Sequence, residues 1–453
     1  MRVRGTLLVV APLVVALIAA LTGFAGLAAA PASAAVASAP TPVVVGNRLV
    51  DSRTGATFVP HGANWPSFEY ACSEGWGYSQ AGDTAAAASA MASWGINTVR
   101  IPLNENCWLG SDPSDYGTAS GYQSAVAAWV GILNAHGIVA ILDLHFSAPP
   151  GQHALGQWPM PDSQSPAFWT SVATTFSSDP SVIFDAFNEP YSIWNPATNS
   201  YSFQLTWDCW ENGGCRAPLV TTAQVPVTGA GAGTYPVVGM AALVAAIRAG
   251  HASQPIMLGG IDYSNNLSGW LAHKPNDSQL VASWHNYQGQ SPCGDTAACW
   301  SSEAGAVAAQ VPVITGEFGE ADGGSSFLTG FMTWADANGI GYLPWAWWDA
   351  SGLSGDNALY ALYTGPSFTP TVPAGTTYKA HLGSLPTTPA PQVFQILPAP
   401  MTFPQLATGG TVTSVGGGIP AGLVAAAVPV AVTDPQLQAI HLDSQRQLRI
   451  DRA

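Results

Sequence analysis

The chain has 453 residues, enough for one large domain with an extension, and its apolar content of 47% allows a sizeable core. Only 9% of the residues are charged, against roughly 25% in an average soluble protein, and the formal net charge is −15. This balance excludes a nucleic-acid binder held by phosphate contacts, which needs clustered Lys and Arg, and it disfavours binding to an anionic membrane surface.

The N-terminal segment has the pattern of a secretory signal peptide. Arg2 and Arg4 precede a nearly continuous apolar run over residues 7–30, and the Ala-Ser-Ala at residues 32–34 matches a small-x-small cleavage site. An uncleaved membrane anchor is the alternative, because the run is long for a signal peptide. We expect residues 1–34 to be removed and the mature protein to be secreted, with no membrane segment, because no comparable apolar run follows.

Short apolar strands alternate with helical segments over the next 300 or so residues. Asp83 and Thr84 can cap an Ala-rich helix that Gly95 ends, and a second helix begins at Ser120 and stops at Gly137. Further helices are predicted over residues 166–177, 237–249, 302–309 and 325–338. The predicted strands span residues 57–62, 97–101, 138–144, 182–187, 256–259, 280–283, 311–315 and 340–344.

This alternation predicts the fold class. Nearly continuous apolar strands indicate parallel pairing with both sheet faces covered, and eight such units favour a closed (β/α)8 TIM barrel over an open doubly wound sheet. No dinucleotide, P-loop or serine-hydrolase motif follows any strand, so we expect no nucleotide cofactor. The predicted organisation is a signal peptide over residues 1–34, a barrel domain over 35–385, and a Pro-containing linker and low-charge tail of unknown role over 386–453.

Export makes disulfide bonds possible for the six Cys. No pair has the C-x-x-C spacing of a zinc or redox site, and we expect no metal. Two pairs each enclose five residues rich in Gly, Asn and Asp, which suits local loop bridges. Proximity alone supports the pairing, and other connectivities stay open. The expected bridges are Cys72–Cys107, Cys209–Cys215 and Cys293–Cys299.

Polar residues stand at the ends of the predicted strands, where a TIM barrel places its chemistry. Each alone has an ordinary structural explanation, such as an ion pair, a core histidine, a polar turn or a packed Trp. However, two of only eight Glu end strands four and seven, which can face each other across the barrel mouth. Buried carboxylates are costly without a purpose, so coincidence is a poor explanation. The set comprises Arg100, His145, Asn188, Glu189, His285, Tyr287, Glu317, Trp345, Trp347 and Trp348.

Two facing carboxyl groups suit the hydrolysis of glycosidic bonds. One protonates the leaving oxygen and the other attacks the anomeric carbon, at a separation of roughly 5–5.5 Å in retaining enzymes. Their environments must differ, because one has to keep its proton near neutral pH while the other stays ionised. Trp rings, of which the chain has 17, stack on the apolar faces of sugars, and uncharged glycans need no basic surface.

Two motifs make a family resemblance specific. The Asn-Glu-Pro at residues 188–190 and the Gly-Glu-Phe-Gly at residues 316–319, in this order, resemble glycoside hydrolase family 5, the cellulase family of retaining (β/α)8 enzymes, over about residues 45–385. The resemblance implies that Glu189 is the acid/base and Glu317 the nucleophile.

The same resemblance implies roles around the two carboxyl groups. Asn188 would bind the sugar 2-hydroxyl, and Arg100 would support the ionised nucleophile. His145, His285 and Tyr287 match the family's active-site histidines and tyrosine. Trp345, or next Trp347, should line the cleavage subsite, because the period-two rule places these two on one strand face and Trp348 on the other. Loop insertions could add sugar platforms at Trp158, Trp207 or Trp210.

The sequence therefore predicts a secreted, monomeric endo-β-1,4-glucanase (cellulase) that acts on polysaccharides or oligosaccharides with retention. Within the same chemistry, the alternatives are a mannanase, a β-1,3- or β-1,6-glucanase and a transglycosylase. A non-catalytic carbohydrate-binding protein is a further alternative, for which one of the two Glu should be replaced. A surface-attached structural protein is another alternative, and only the tail supports it.

Overall fold

The computed structural model describes residues 38–386, except residues 81, 196 and 223. The predicted signal peptide over residues 1–34, and the predicted linker and tail beyond residue 386, lie outside the described residues. Among the described residues, no helix is long and apolar enough to cross a membrane.

Short strands and helices alternate along the described chain. In chain order the strands are β1 (Pro42–Val45), β2 (Arg48–Asp51), β3 (Gly62–Asn64), β4 (Thr98–Asn104), β5 (Val139–Phe146), β6 (Val182–Asp185), β7 (Ile193–Asn195), β8 (Ser200–Phe203), β9 (Arg216–Pro218), β10 (Thr234–Pro236), β11 (Ile256–Gly259), β12 (Leu280–Tyr287), β13 (Val313–Gly319), β14 (Gly341–Pro344), β15 (Tyr363–Thr364) and β16 (Thr369–Pro370). The helices are α1 (Ala85–Ser93), α2 (Glu105–Leu109), α3 (Ala119–Ala135), α4 (Ser165–Phe176), α5 (Trp207–Asn212), α6 (Met240–Ala249), α7 (Trp270–His273), α8 (Ala297–Trp300), α9 (Ala306–Ala308), α10 (Ser326–Ala337), α11 (Asp356–Tyr360) and α12 (Ala374–Ser384).

Eight of the strands form the predicted parallel barrel. The sheet order is β14-β13-β12-β11-β6-β5-β4-β3, and a parallel bridge between His61 and Tyr342 closes it. The strands are buried along almost their whole length, as expected for a sheet covered by helices outside and side chains inside. The TIM-barrel prediction is therefore confirmed.

The first barrel strand lies later in the chain than predicted. The predicted strand over residues 57–62 ends where β3 begins. Thr57 instead bridges Val50 in antiparallel fashion, and the Phe58 amide donates to the Leu49 carbonyl at 2.8 Å. Leu49 and Phe58 belong to the apolar cluster that fills the barrel interior from below. An apolar run that plugs the barrel end resembles a buried strand in sequence, which explains the error.

Strands β12 and β13 extend further than predicted at their carboxyl ends, as β4 and β5 also do, and both carry site residues. β12 continues to Tyr287 and β13 to Gly319, so His285, Tyr287 and Glu317 lie within the strands. A register shift between Trp284 and His285 interrupts the pairing of these two strands. Such irregularities redirect side chains at the rim of a barrel.

The three expected disulfide bonds are present. The bridges join Cys72 to Cys107 across 35 residues, and Cys209 to Cys215 and Cys293 to Cys299 within local loops. Their Cα–Cα distances are 6.2, 5.7 and 5.7 Å, within the usual range for a disulfide. The bridges constrain loops, and in a TIM barrel the loops after the strands form the active site.

Candidate active site

A single buried cation lies at the centre of the barrel mouth. Arg100, on β4, is fully buried and contacts three carboxylates. Its Nε lies 2.9 Å from Asp185 Oδ2, its Nη2 3.0 Å from Asp143 Oδ2, and its Nη1 2.8 Å from Glu317 Oε1. Burial would lower the pKa of Arg100, but the three carboxylates raise it above its ordinary value. The guanidinium thus stays charged and fixes three acids around it.

The buried aspartates share this cation with Glu317. Burial raises the pKa of Asp143 to about 7 and that of Asp185 to about 6, against the opposing effect of Arg100. One positive charge cannot fully stabilise three buried negative charges, so protons compete with Arg100 for the aspartates. Glu317 is the carboxyl partner of Arg100 on the side of the cluster that faces the cleft.

Two side-chain amides complete the shell of Arg100. Asn64 Oδ1 accepts from Nη1 at 3.0 Å, and Asn64 Nδ2 donates to the Gly316 carbonyl at 2.8 Å. Asn188 Oδ1 accepts from Nη2 at 2.6 Å. The bond to Arg100 turns the Asn188 oxygen toward the cation and its nitrogen to the other side, where it can donate to a ligand.

Glu317 accepts hydrogen bonds at both oxygens. Arg100 donates to Oε1, and the Tyr287 hydroxyl donates to Oε2 at 2.7 Å. Burial and the nearby Glu317 raise the pKa of Tyr287 well above its usual value, so the phenol keeps its proton and remains a donor. A carboxyl group that accepts from donors at both oxygens has the bonding pattern of an ionised carboxylate.

Glu189 has a different environment. Its Oε1 lies 2.8 Å from His285 Nδ1, and its Oε2 accepts from Gln157 Nε2 at 3.1 Å. Burial raises the pKa of Glu189. Burial also lowers the pKa of His285 to about 4, so the neighbouring imidazole is neutral at pH 7 and supplies no full positive charge. The two carboxyl groups therefore have different hydrogen-bond partners and different surroundings.

The two carboxyl groups lie close together. An oxygen of each and a nitrogen of His285 are all within 4.8 Å of one another. This spacing is compatible with the separation of roughly 5–5.5 Å between the carboxyl groups of retaining glycosidases. The same three groups could geometrically hold a cation, but Glu317 already binds Arg100 and Tyr287, and Glu189 binds Gln157.

His145 and Trp345 form one wall of the site. His145 Nδ1 lies 2.7 Å from Asp143 Oδ2, and its ring stacks on Trp345 with centroids 5.5 Å apart. Burial lowers the pKa of His145 to about 4. Trp345 contacts Trp348 edge to face at 5.5 Å. The arrangement presents a half-buried indole beside the carboxyl groups.

The period-two rule predicted equivalent positions for Trp345 and Trp347, but Trp347 is much more deeply buried, although both line the same cleft. Only 2% of Trp347 is exposed, and its ring packs against Trp94 at 4.8 Å and Phe368 at 5.9 Å. The reason is that β14 ends at Pro344, before these residues, so strand alternation no longer applies.

Two of the three predicted extra sugar platforms, Trp158 and Trp210, are core residues. Trp210 is fully buried and donates from Nε1 to the Gly259 carbonyl at 2.9 Å, and Trp158 is only 5% exposed. Trp207 is half-buried between Trp210 and His273. The expectation that Trp158 or Trp210 presents a face to sugars is wrong.

An aromatic cleft of about 880 Å³ adjoins His145 and Trp345. Much of its wall comes from the loop that follows β3, including Trp65, Tyr70 and Trp76. The sequence pattern did not predict this wall, because the predicted first strand lay too early in the chain and the residues after Asn64 therefore did not stand at a predicted strand end. The Trp65-Pro66 pair directly after a strand end was the available signal.

Glu69 lies in this cleft wall with 2% of its surface exposed. Its Oε2 accepts from the Ser67 amide at 2.7 Å, yet burial raises its pKa to about 8. Because the folded-state pKa is above the unfolded value, Glu69 favours folding at low pH, and this contribution is lost as the pH rises toward and beyond 8. The raised pKa values of Asp143 and Asp185 likewise make the protein less stable as the pH rises, over a lower pH range than for Glu69.

We predict that the free energy of unfolding falls between about pH 5 and pH 9, and that Glu69→Gln makes this fall smaller, because Gln cannot ionise. Urea unfolding at several pH values measures the effect. Glu74→Gln, at an exposed position of the same loop, is the matched control and should follow the wild type. An equal fall in Glu69→Gln and wild type would contradict the account of Glu69.

Comparison with known proteins gives a family for this arrangement. The model of the cellulase family, glycosyl hydrolase family 5, matches residues 52–351, which include Arg100, Glu189 and Glu317. No curated protein matches the chain by sequence.

Solved structures share the fold. A β-glucanase from Saccharophagus degradans in complex with cellotetraose is 18% identical with a TM-score of 0.56, covering 77% of this chain and 94% of that one. An endocellulase from Pyrococcus horikoshii, also in complex with cellotetraose, is 17% identical with a TM-score of 0.54, covering 77% and 100%. The endoglucanase catalytic domain from Thermobifida fusca is 16% identical with a TM-score of 0.50, covering 76% and 97%.

Proposed function

Since the chain belongs to the cellulase family, glycosyl hydrolase family 5, and is a glycosidase, we propose that it is a retaining endo-β-1,4-glucanase. The observation that carries the proposal is the pairing of Glu189 and Glu317. Their oxygens approach within 4.8 Å, while their hydrogen-bond partners differ in the way that double displacement requires.

In the first proposed step, Glu317 attacks the anomeric carbon and Glu189 gives its proton to the departing glycosidic oxygen. The bond from the sugar to that oxygen breaks as the bond to the Glu317 carboxylate forms. The raised pKa of Glu189 supports the acid role, because a proton must be present near neutral pH. The donors on both oxygens of Glu317 support the nucleophile role.

In the second step, the ionised Glu189 takes a proton from water, and the resulting hydroxide equivalent attacks the anomeric carbon. The ester bond to Glu317 breaks, the sugar leaves with its original configuration, and both carboxyl groups return to their first states. Two inversions at one carbon give overall retention.

The surrounding residues then have positioning roles. Asn188 would donate from its amide nitrogen to the 2-hydroxyl of the sugar, since its oxygen is bound to Arg100. His145 and His285 would hold the site in place as neutral imidazoles. We assign sugar stacking at the cleavage subsite to Trp345, which is half-buried, and a supporting position in the same cleft wall to Trp347.

Support for a β-glucan substrate comes from the aromatic cleft and from the nature of the structural neighbours. Trp and Tyr walls fit the flat faces of equatorially substituted sugars. The two neighbours with bound cellotetraose are a β-glucanase and an endocellulase. Mannan, β-1,3- or β-1,6-glucan hydrolysis and transglycosylation use the same chemistry and are the alternatives. A non-catalytic role is disfavoured because both Glu are retained.

We further propose that the protein works outside the cell. The N-terminal sequence has the signal-peptide pattern, and three disulfide bonds suit an oxidising compartment. In this proposal residues 1–34 are removed, residues 35–385 are the catalytic domain, and residues 386–453 are a linker and tail. The proposed oligomeric state is a monomer.

The roles of the two Glu can be separated by substitution. Glu317→Gln should abolish hydrolysis while leaving sugar binding and folding intact. Glu189→Ala should lose at least about 10²-fold in activity, and azide should restore turnover of an activated aryl glycoside by forming a β-glycosyl azide. NMR of the azide product gives its configuration.

Glu211→Ala, outside the cleft, is the control and should keep full activity and show no response to azide. An α-glycosyl azide would mean a single displacement, and full activity in Glu317→Gln would overturn the assignment of the nucleophile.

The substrate class can be decided by product analysis on cellulose, soluble β-1,4-glucan, mannan, xylan and laminarin. We expect the highest kcat/KM on soluble β-1,4-glucan, with oligosaccharides of several lengths released early. A higher kcat/KM on mannan or laminarin would replace the proposed specificity while leaving the proposed chemistry in place.

A further inference from the structure

The connection after the fifth barrel strand, β11, has an unusual backbone. Asp262, Tyr263 and Ser264 have φ values of +54°, +58° and +57°, three consecutive residues in the left-handed region, and none is Gly. Residues with a Cβ adopt this region at an energetic cost, and runs of them are rare. A conformation of this kind persists only where surrounding contacts hold it, often next to a functional site.

This left-handed turn (residues 262–264) is bound to the segment that contains Glu189. The Ser264 hydroxyl donates to the Asn188 carbonyl at 2.8 Å, and the Tyr263 amide donates to the Pro190 carbonyl at 3.0 Å. The carbonyls on both sides of Glu189 are therefore held by the turn. A regular extended backbone could not offer both donors to one short segment.

The same turn is bound to the strand that contains His285. The His285 amide donates to the Ser264 carbonyl at 3.0 Å, and His285 Nδ1 lies 2.8 Å from Glu189 Oε1. Ser264 is fully buried. It thus bonds through its hydroxyl to the backbone beside Glu189 and through its carbonyl to the backbone of the imidazole that contacts Glu189.

The local sequence makes room for this hydroxyl. A Cβ at Gly259 would overlap Ser264 Oγ and would approach the Asn188 carbonyl to 3.1 Å. Gly259 ends β11 directly beneath the turn. Only Gly at this position allows the Ser264 side chain to reach Asn188.

Other contacts hold the turn independently of the Ser264 hydroxyl. Tyr263 stacks on Tyr191 at 4.9 Å with rings 4° from parallel. Asn265 Nδ2 donates to the His285 carbonyl at 2.8 Å, and Trp284 Nε1 donates to the Asn265 carbonyl at 2.9 Å. Removing the hydroxyl should therefore remove the bond to Asn188 without releasing the turn.

We propose that Ser264 is a positioning residue that keeps Glu189 and His285 aligned for proton transfer to the departing glycosidic oxygen. The proposal rests on the acid/base role proposed for Glu189. It adds a residue from the connection after β11, a strand that supplies no carboxyl group to the site, and it assigns a function to the left-handed turn. General acid catalysis depends on placing the proton within hydrogen-bond reach of the leaving oxygen.

The test varies how strongly the leaving group needs a proton. We would measure kcat/KM for a series of aryl β-cellobiosides, from 2,4-dinitrophenyl to phenyl, with wild type and Ser264→Gly. Gly removes the hydroxyl and accepts the left-handed backbone without strain. We expect about tenfold lower kcat/KM for the phenyl glycoside and less than about twofold change for the dinitrophenyl glycoside, which leaves without protonation.

Ser268→Gly is the matched control, because Ser268 is exposed in the same connection and its hydroxyl donates to Asn266, away from Glu189. It should behave as wild type throughout the series. Ser264→Ala serves as a second variant, and thermal unfolding confirms that each variant is folded. If Ser264→Gly is unstable, the leaving-group dependence of Ser264→Ala decides.

An equal loss for all leaving groups, or no loss for any, would overturn the proposal, because a general structural effect does not depend on the leaving group. Glu189→Ala in the same series separates the two proposals. If it shows no steeper leaving-group dependence than wild type, the acid/base assignment fails, whereas a steep dependence in Glu189→Ala and none in the Ser264 variants refutes only the role of Ser264.

Discussion

The active site depends on one buried guanidinium placed among three buried carboxyl groups. Arg100 contacts Asp143, Asp185 and Glu317 within 3.0 Å. Losing Arg100 would leave these buried carboxyl groups without a compensating positive charge, which is among the most destabilising changes a core can suffer. Because strands β4, β5, β6 and β13 each supply one member, the charge cluster also joins both sides of the barrel mouth.

This constraint explains how a chain with few charges can provide two carboxyl groups with different behaviour. Arg100 and Tyr287 satisfy Glu317, whereas Glu189 faces a neutral imidazole and an amide. The different roles of the acid and the nucleophile then follow from the surroundings of each carboxyl group. In the proposed mechanism, the left-handed turn at Ser264 has a comparable role for Glu189. It holds the backbone next to Glu189 by a hydrogen bond, whereas Glu317 is held by a cation.

Local sequence patterns predicted much of the fold and of the site, and each wrong prediction has a physical cause. Apolar strands predicted the barrel, and the Asn-Glu-Pro and Gly-Glu-Phe-Gly motifs predicted where the carboxyl groups lie. Asp185 was missed because it sits inside an apolar strand and becomes significant only once Arg100 is opposite. The burial of Trp347 was not predicted, because strand alternation ends at Pro344. The role of Ser264 depends on backbone angles that residue types alone do not specify.

The proposed mechanism requires Glu317 to form a covalent bond to the sugar. Incubating the enzyme with 2,4-dinitrophenyl 2-deoxy-2-fluoro-β-cellobioside should release one equivalent of dinitrophenol and leave the sugar attached, because fluorine slows both steps and the second step more. Peptide mass spectrometry should then find the added mass on the peptide that contains Glu317. A label on Glu189, or steady turnover without any labelled peptide, would contradict the account.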